Sequence, residues 1–453
     1  MDVDKLSNRI CPPQMSIEEW QVALRRKMAK KSDFLIKHLD DNKVWGDYLV
    51  LHGDNKYKVA FRGVCSTANY CSCLDFRTSG LGTCKHIEAV ILKLRREESG
   101  FPWGNIEYVP LYSSIYINYK EGRKVQFSLG LTEKALYQSF QRKYFDENNT
   151  LKREYYDHID EICAEASEID ANFRCYEDVY EYVDTQVRTD KWRNMLIKHF
   201  PEKLVTTPYA ITSQSQEYLE EMYQLLYIGH GILVGDATPS LYMEILAMID
   251  VSLRMDESPA LIIASSVHKL ELWQSLLKRS PLANSGRVVL VSKEKFRYST
   301  HLPSGKFSLV FVEQADYLKD WNNPISKCIK KLTIHHIYLQ LPELAHLSPV
   351  QFSSIIQHIS PFILAPFYQF IRKYKDIFPL SESQNNFPEK SKDYLFIRQK
   401  TRYIDWAAGE LRSIEEKPEK EVGTFLLKAI ELLQSEKHRN VLLRELKKII
   451  DSL

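Results

Sequence analysis

The chain of 453 residues is 44% hydrophobic, 26% charged and 12% aromatic, which supplies ample material for buried cores and, on length, roughly three domains. A net charge of +2 decides nothing about partners, while the lack of a long uninterrupted apolar run argues against a helical membrane span. The start, "MDVDKLSNRI", lacks the basic end and apolar stretch of a secretory signal, and eight cysteines are scattered rather than dense, so a soluble cytosolic chain with reduced thiols is expected.

Residues 16–40 place apolar and basic positions at helical spacing, with Trp20, Leu24, Met28 and Phe34 on or near one stripe. Residues 45–64 change to strand patterning around a "GDN" hairpin turn, and residues 105–131 repeat it around "YKEGRK". From about 132 to 200 the pattern is helical, with Leu151, Tyr155, Ile159, Ile162, Ala166 and Ile169 forming an apolar stripe behind an acidic face. After Pro201 short apolar strands, "GILV", "ALIIAS", "RVVLVS" and "FSLVFV", alternate with helical stretches such as "HKLELWQSLLKR", which predicts a parallel sheet with crossover helices. "SESQNNFPEKS" (381–391) reads as a linker, and the tail from Tyr394 as charged amphipathic helices.

Charge is unevenly spread. Arg25 to Arg96 holds 15 Lys/Arg against 7 Asp/Glu, a net of +8, whereas Tyr144 to Asp184 holds 3 against 13, a net of −10. Either run could be no more than a solvated face. Together they suggest a basic amino-terminal region able to meet a polyanion, followed by an acidic helical connector.

The most specific signal is "YCSCLDFRTSGLGTCKHIEAVILKLRRE". Cys71-x-Cys73 is followed after ten residues by Cys84-x-His86. Three thiolates and an imidazole are a donor set for a closed, four-coordinate zinc site, and four protein ligands leave no position for a reactive water. Gly80 and Gly82 allow the intervening loop to bend back, and His86 opens an apolar-periodic helix through Ile87, Val90, Ile91 and Leu94. Cys65 reads as a buried strand thiol, and Cys11, Cys163, Cys175 and Cys328 have no metal spacing.

Cys-x-Cys, a spacer and Cys-x-His before a helix resembles the SWIM zinc finger, here spanning about 56–98. That family is associated with DNA binding and with protein–protein contacts, and in bacteria its fingers often precede Swi/Snf-family helicase-like ATPases. The carboxyl half resembles the first RecA-like lobe of such an enzyme, but with altered motifs. Laying the family's phosphate loop on "LVGDATPSLY" puts Thr238 and Ser240 at its glycines, Leu241 at its lysine and Tyr242 at its threonine, with Pro239 removing one N–H. In "FSLVFVEQADYLKD" Glu313 falls at the Asp of Asp-Glu-Ala-His and Gln314 replaces the Glu that activates water. Of Thr-Gly-Thr-Pro only Pro342 matches, while "SPALIIASSVHKLELWQSLLKR" fits its motif best. Only the opening helices of a second lobe are matched. The resemblance therefore implies a pseudo-ATPase without hydrolysis.

The expected organisation is an α+β amino-terminal domain (1–131) containing the finger, an acidic helical connector (132–200), a degenerate α/β RecA-like lobe (201–380), then linker and carboxyl-terminal helices (381–453). The expected function is a zinc-binding, nucleic-acid-binding accessory protein of the bacterial cytoplasm, nucleoid-associated if it binds DNA. Arg25, Arg26, Lys27, Lys30, Lys31, Lys93, Arg95 and Arg96 are the candidate phosphate contacts. The alternative is an adaptor that docks on a complete helicase or another DNA-processing protein. Nucleotide binding without hydrolysis stays open as a third expectation.

Overall fold

The computed structural model describes residues 6–8, 10–39, 44–64, 66, 68–98, 108–119, 122–200, 203–204, 216–235, 237, 239–298, 305–344, 347–374 and 395–397. Cys65, Thr238, the expected linker and nearly all of the expected helical tail lie outside them, as do the side chains of Pro239 and Ser240. The chain forms two compact units. One comprises the described residues up to His199 together with 347–374, and the other those from 200 to 344 with 395–397. Residues 347–374, expected within the RecA-like lobe, thus belong to the first unit.

The first unit opens with α1 (Ile17–Lys31), started by a capping box in which the Ser16 hydroxyl accepts from Glu19 N–H and the Glu19 carboxylate accepts from Ser16 N–H. The helix is shorter than the pattern suggests, because residues after Ser32 extend into a strand. An antiparallel sheet follows, in the order β1 (Leu35–His38), β2 (Gly46–His52), β3 (Asn55–Phe61), β4 (Tyr70–Cys71). The expected hairpin is present, with His52 opposite Asn55 and Gly53 at φ 57 in the turn. Tyr48, Val50, Val59 and Phe61 alternate onto one buried face. Against it lie α2 (Leu74–Ser79) and α3 (Lys85–Glu97), the latter burying Ile87, Val90, Ile91 and Leu94. Of the α1 stripe, Met28 is exposed, and the buried positions are Ala23 and Ala29.

A three-stranded sheet completes this unit, with β5 (Ser114–Asn118) between β6 (Lys124–Ser128) and a short β7 (Arg174–Cys175). The helices expected as a connector, α4 (Lys134–Tyr144), α5 (Ile159–Ile169) and α6 (Glu177–His199), share one buried core with the finger. That core runs from Val44 and Cys71 through Phe127, Tyr137 and Phe140 to Val183. The acidic surface of this segment therefore covers a common interior.

The second unit is α/β, as the strand–helix alternation predicts. Helix α7 (Gln216–Ile228) leads into β8 (His230–Val234), α8 (Pro239–Met255), β9 (Ala260–Ala264), α9 (Val267–Lys278), β10 (Val288–Ser292), α10 (Lys293–Tyr298), β11 (Lys306–Val312), α11 (Pro324–Ile329) and β12 (Thr333–Leu341). Helices α12 (Pro349–Ile359) and α13 (Phe367–Tyr374) return to the first unit, and β13 (Leu395–Ile397) closes the sheet. All strand pairs are parallel, in the order β10-β9-β11-β12-β8-β13. The central strands are apolar on both faces, as a sheet covered by helices requires. This is consistent with a RecA-like lobe.

His336 of β12 has a packing role in this sheet. The His336 ring lies against Gly229, with Nδ1 3.3 Å from Gly229 O, and a Cβ on Gly229 would come within 2.9 Å of that nitrogen. Desolvation, then the neighbouring His335 charge, lowers the His336 imidazole to about 3. The unfolded chain therefore takes up a proton on falling through about pH 6.5 that the native lobe refuses. Native stability is expected to decline as pH falls from 6.5 to 5, at up to about 1.4 kcal/mol per pH unit. His336→Gln should flatten that decline, read as the midpoint of urea unfolding at each pH.

Candidate metal centre

Local backbone devices bring the four expected ligands together. Cys71 ends β4, opposite Val59 in β3. The chain turns at Ser72, whose N–H donates to Lys58 O (3.0 Å) and whose hydroxyl accepts from Lys58 N–H (3.1 Å). Cys73 is then the N-cap of α2, its Sγ accepting from Phe76 N–H at 3.4 Å. Helix α2 stops at Gly80 (φ 65), and Gly82 (φ 68) is a second left-handed residue. Glycine reaches this region without steric cost, so the loop reverses here. Cys84 becomes the N-cap of α3 and His86 falls in its first turn.

All four side chains are buried, and their ligand atoms lie within 4.8 Å of one another. His86 Nδ1 is 3.6 Å from Cys71 Sγ and 3.9 Å from Cys84 Sγ. A tetrahedral ion with metal–sulfur bonds near 2.3 Å and metal–nitrogen bonds near 2.0 Å spaces its ligand atoms about 3.5–3.8 Å apart. The cluster needs only a small contraction to hold such an ion. Among the described residues it is the only group of this kind.

Electrostatics favour a cation here. Burial pushes the Cys71 and Cys84 thiols up, whereas hydrogen bonds from Cys71 and Cys84 pull Cys73 down. Left to themselves, the three thiols resist shared ionisation, because adjacent negative charges in a dry space repel. A divalent ion removes that conflict. The amino terminus of α3 adds a favourable field at Cys84.

The imidazole is positioned by aromatic packing. Tyr57 stacks on the His86 ring at 3.8 Å between centroids, and Phe34 meets it edge-on at 5.3 Å. His86 Nε2 is buried without a hydrogen-bond partner among the described residues. Tyr57 is legible in principle, since strand alternation puts it on the face of Val59, which pairs with Cys71. Periodicity places Phe34 on the α1 stripe, and its role at the site has no sequence signal.

The eight basic candidates divide. Arg25 makes a paired contact with Asp75 in α2 (2.6 and 3.0 Å), and Arg26 binds Glu88 in α3 at 2.8 Å. Glu88 is buried and also accepts from Thr83 Oγ1 at 3.1 Å. Lys27 donates to Leu6 O at 2.7 Å, and Lys93 pairs with Glu97 one turn on. These four are engaged within the protein, and Arg25 and Arg26 tie α1 to both ligand-bearing helices. Lys30, Lys31, Arg95 and Arg96 are exposed. Lys37 and Lys56 are also exposed, and Lys85 lies over the Phe34 ring at 5.9 Å; these three are basic residues of the first unit beyond the eight candidates.

In the second unit, Leu241 and Tyr242 are buried in the first turn of α8, and Glu313, directly after β11, is fully buried. Gln314, next in the chain, is left-handed at φ 46. Among the described residues no helix is long and apolar enough to cross a membrane.

No protein-family model matches this chain, and no curated protein does. Among solved structures it is similar to the Sulfolobus solfataricus SWI2/SNF2 ATPase core in complex with dsDNA, at 15% identity over 43% of this chain and 46% of that one, with a TM-score of 0.35. It is also similar to the Sulfolobus solfataricus SWI2/SNF2 ATPase core domain, at 15% identity over 45% and 47%, again with a TM-score of 0.35. The match spans less than half the length of either structure.

Proposed function

We propose that this protein is a zinc-organised, nucleic-acid-binding accessory protein whose α/β lobe is a catalytically silent relative of Swi/Snf-type ATPases. The observation that carries the first part is the buried Cys71, Cys73, Cys84 and His86 cluster. Its donor set suits zinc, and filling every position with protein makes the ion structural. When bound, zinc would neutralise the thiolates and hold β4, α2 and α3 in register. The exposed Lys31, Arg95 and Arg96, with Lys37 and Lys56, remain to meet phosphate. Such contacts give affinity without sequence preference. Burial of Leu241, where the resemblance requires an exposed lysine, supports the silent lobe.

The test is fluorescence anisotropy with labelled single-stranded and duplex DNA over a salt series, comparing the zinc-loaded protein with Arg95→Glu/Arg96→Glu. Binding is expected to weaken with salt, and the slope of log K against log salt should shrink by about 0.9 for each duplex phosphate that the variant no longer neutralises. Arg26→Gln, by contrast, should lower stability more than it lowers the salt slope. Affinity indifferent to salt, or untouched by charge reversal at 95 and 96, would overturn the nucleic-acid role.

A second reading, an adaptor docking on another DNA-processing protein, is favoured by one observation. Leu35 on the edge strand β1 and Leu39 just beyond it are 58% and 59% exposed. An unpaired edge with apolar side chains is a site where another chain can add a strand. Absence of DNA binding together with a Leu35→Glu-sensitive complex would favour this reading.

A further inference from the structure

At the carboxyl-terminal edge of a parallel α/β sheet, strand ends usually leave a crevice for ligand. Here side chains of the chain itself meet across that edge. Glu313, following β11, accepts from Tyr242 Oη at 2.7 Å and from both the N–H and the hydroxyl of Ser265, following β9, at 2.9 Å each. Tyr242 Oη in turn accepts from Lys269 Nζ in α9 at 2.9 Å. The Tyr242 ring sits edge-to-face on Trp273, with centroids 4.7 Å apart, and Trp273 packs on Phe311 of β11. A second link lies beside the first. Gln340 of β12, itself buried, accepts from Gln314 N–H at 2.8 Å and donates to Gly235 O at 2.5 Å.

These bonds tie together the segments that follow β8, β9 and β11. A buried carboxylate is tolerated when donors surround it and a positive charge lies near. Glu313 has three donors, and Lys269 reaches it through one hydroxyl. In phosphate-loop enzymes the acid at the equivalent strand end faces a metal ion, and the loop hydroxyl on the following helix holds that ion. Tyr242 stands where the resemblance puts that hydroxyl, and its phenol spans the distance directly.

We propose that Tyr242, Lys269 and Glu313 form a built-in clasp occupying the position a phosphate-bound cation would take, so that the lobe is a fixed body without ligand-driven open and closed states. This rests on the silent-lobe reading above and adds what closes the crevice. Drawing α8 away would take the Tyr242 donor from Glu313, and displacing Gly235 would leave the Gln340 amide N–H without its acceptor, each costly in a buried setting. The clasp thus replaces binding energy that a ligand supplies elsewhere.

The experiment is thermal unfolding of the full chain and of Tyr242→Phe, Lys269→Met and the Tyr242→Phe/Lys269→Met double variant, with Glu313→Gln as a further background. All are run with and without millimolar MgADP. Each single substitution is expected to lower Tm by roughly 3–6 °C. The double variant should lose little more than Tyr242→Phe alone, because Lys269 acts through the hydroxyl. In the Glu313→Gln background Lys269→Met should cost almost nothing, and MgADP should leave the wild-type Tm unchanged. Additive losses with no MgADP response would overturn the clasp and leave the silent lobe standing. A wild-type Tm raised by MgADP would overturn the silent lobe and, with it, the clasp as occupant.

Discussion

Cys84→Ser, or exhaustive chelation of the native protein, is expected to lower the Tm of the first unit by about 10–20 °C and to release one equivalent of zinc. The size follows from where the ligands sit. Cys71 ends a strand, Cys73 and Cys84 start two helices, and His86 lies in the first turn of the second. The ion would therefore cross-link a strand end and the starts of two helices within one core. Metal binding in small zinc modules supplies folding free energy of order 10 kcal/mol, and this unit keeps a core of its own, so a partial loss of several kcal/mol is the expectation. Serine is a good N-cap, so Cys84→Ser spares the start of α3 and isolates the metal contribution. Cys328→Ser, in the other unit and outside the cluster, is the control and should change neither Tm nor metal content. Native mass spectrometry before and after chelation, with circular dichroism melts alongside, measures both quantities. Identical melts and no bound metal would remove the zinc centre.

How far the sequence foretells this architecture depends on the range of the interactions involved. The metal ligands are legible because spacing along the chain decides them. Cys-x-Cys fits a strand-to-helix turn, Cys-x-His fits the start of a helix, and two glycines provide the reversal. The parallel sheet is legible because its strands are buried on both faces and so are apolar without alternation, as in "ALIIA" and "FSLVFV". The end of α1 is not, for the same kind of reason. "FLIKHL" suits either state locally, and pairing with β2 decides in favour of a strand. Least legible are the partners of charged residues. Arg25 and Arg26 resemble phosphate ligands in a basic run, but Asp75 and Glu88, 50 and 62 residues away, claim them. No periodicity encodes such a pairing. The clasp is hidden likewise: Tyr242 reads as a lost threonine, and nothing in the chain order links it to Lys269 or Ser265.

Asp47→Ala is expected to be the most destabilising single substitution remote from the metal. Arg62 is 2% exposed, and its guanidinium donates to Asp47 Oδ1 at 2.8 Å and to the hydroxyls of Tyr112 at 2.5 Å and Tyr176 at 3.3 Å. Asp47 also accepts from Arg174 at 2.5 Å through its other oxygen. One carboxylate thus serves two arginines and links β2 of the finger sheet to β7 of the three-stranded sheet. Removing it leaves the Arg62 charge buried among phenols, which can accept hydrogen bonds but carry no negative charge. Deleting one partner of a fully buried ion pair costs roughly 3–5 kcal/mol, and because the Asp47 side chain is 32% exposed the lower end, about 3 kcal/mol or a Tm loss of about 6–10 °C, is expected. The penalty belongs mainly to the stranded cation, so Arg62→Met added to Asp47→Ala should restore part of the loss, whereas Arg174→Met added to it should not. Denaturant midpoints of the four proteins measure this. Equal behaviour of the two double variants would mean that Asp47 acts by bridging the two arginines and not by neutralising Arg62.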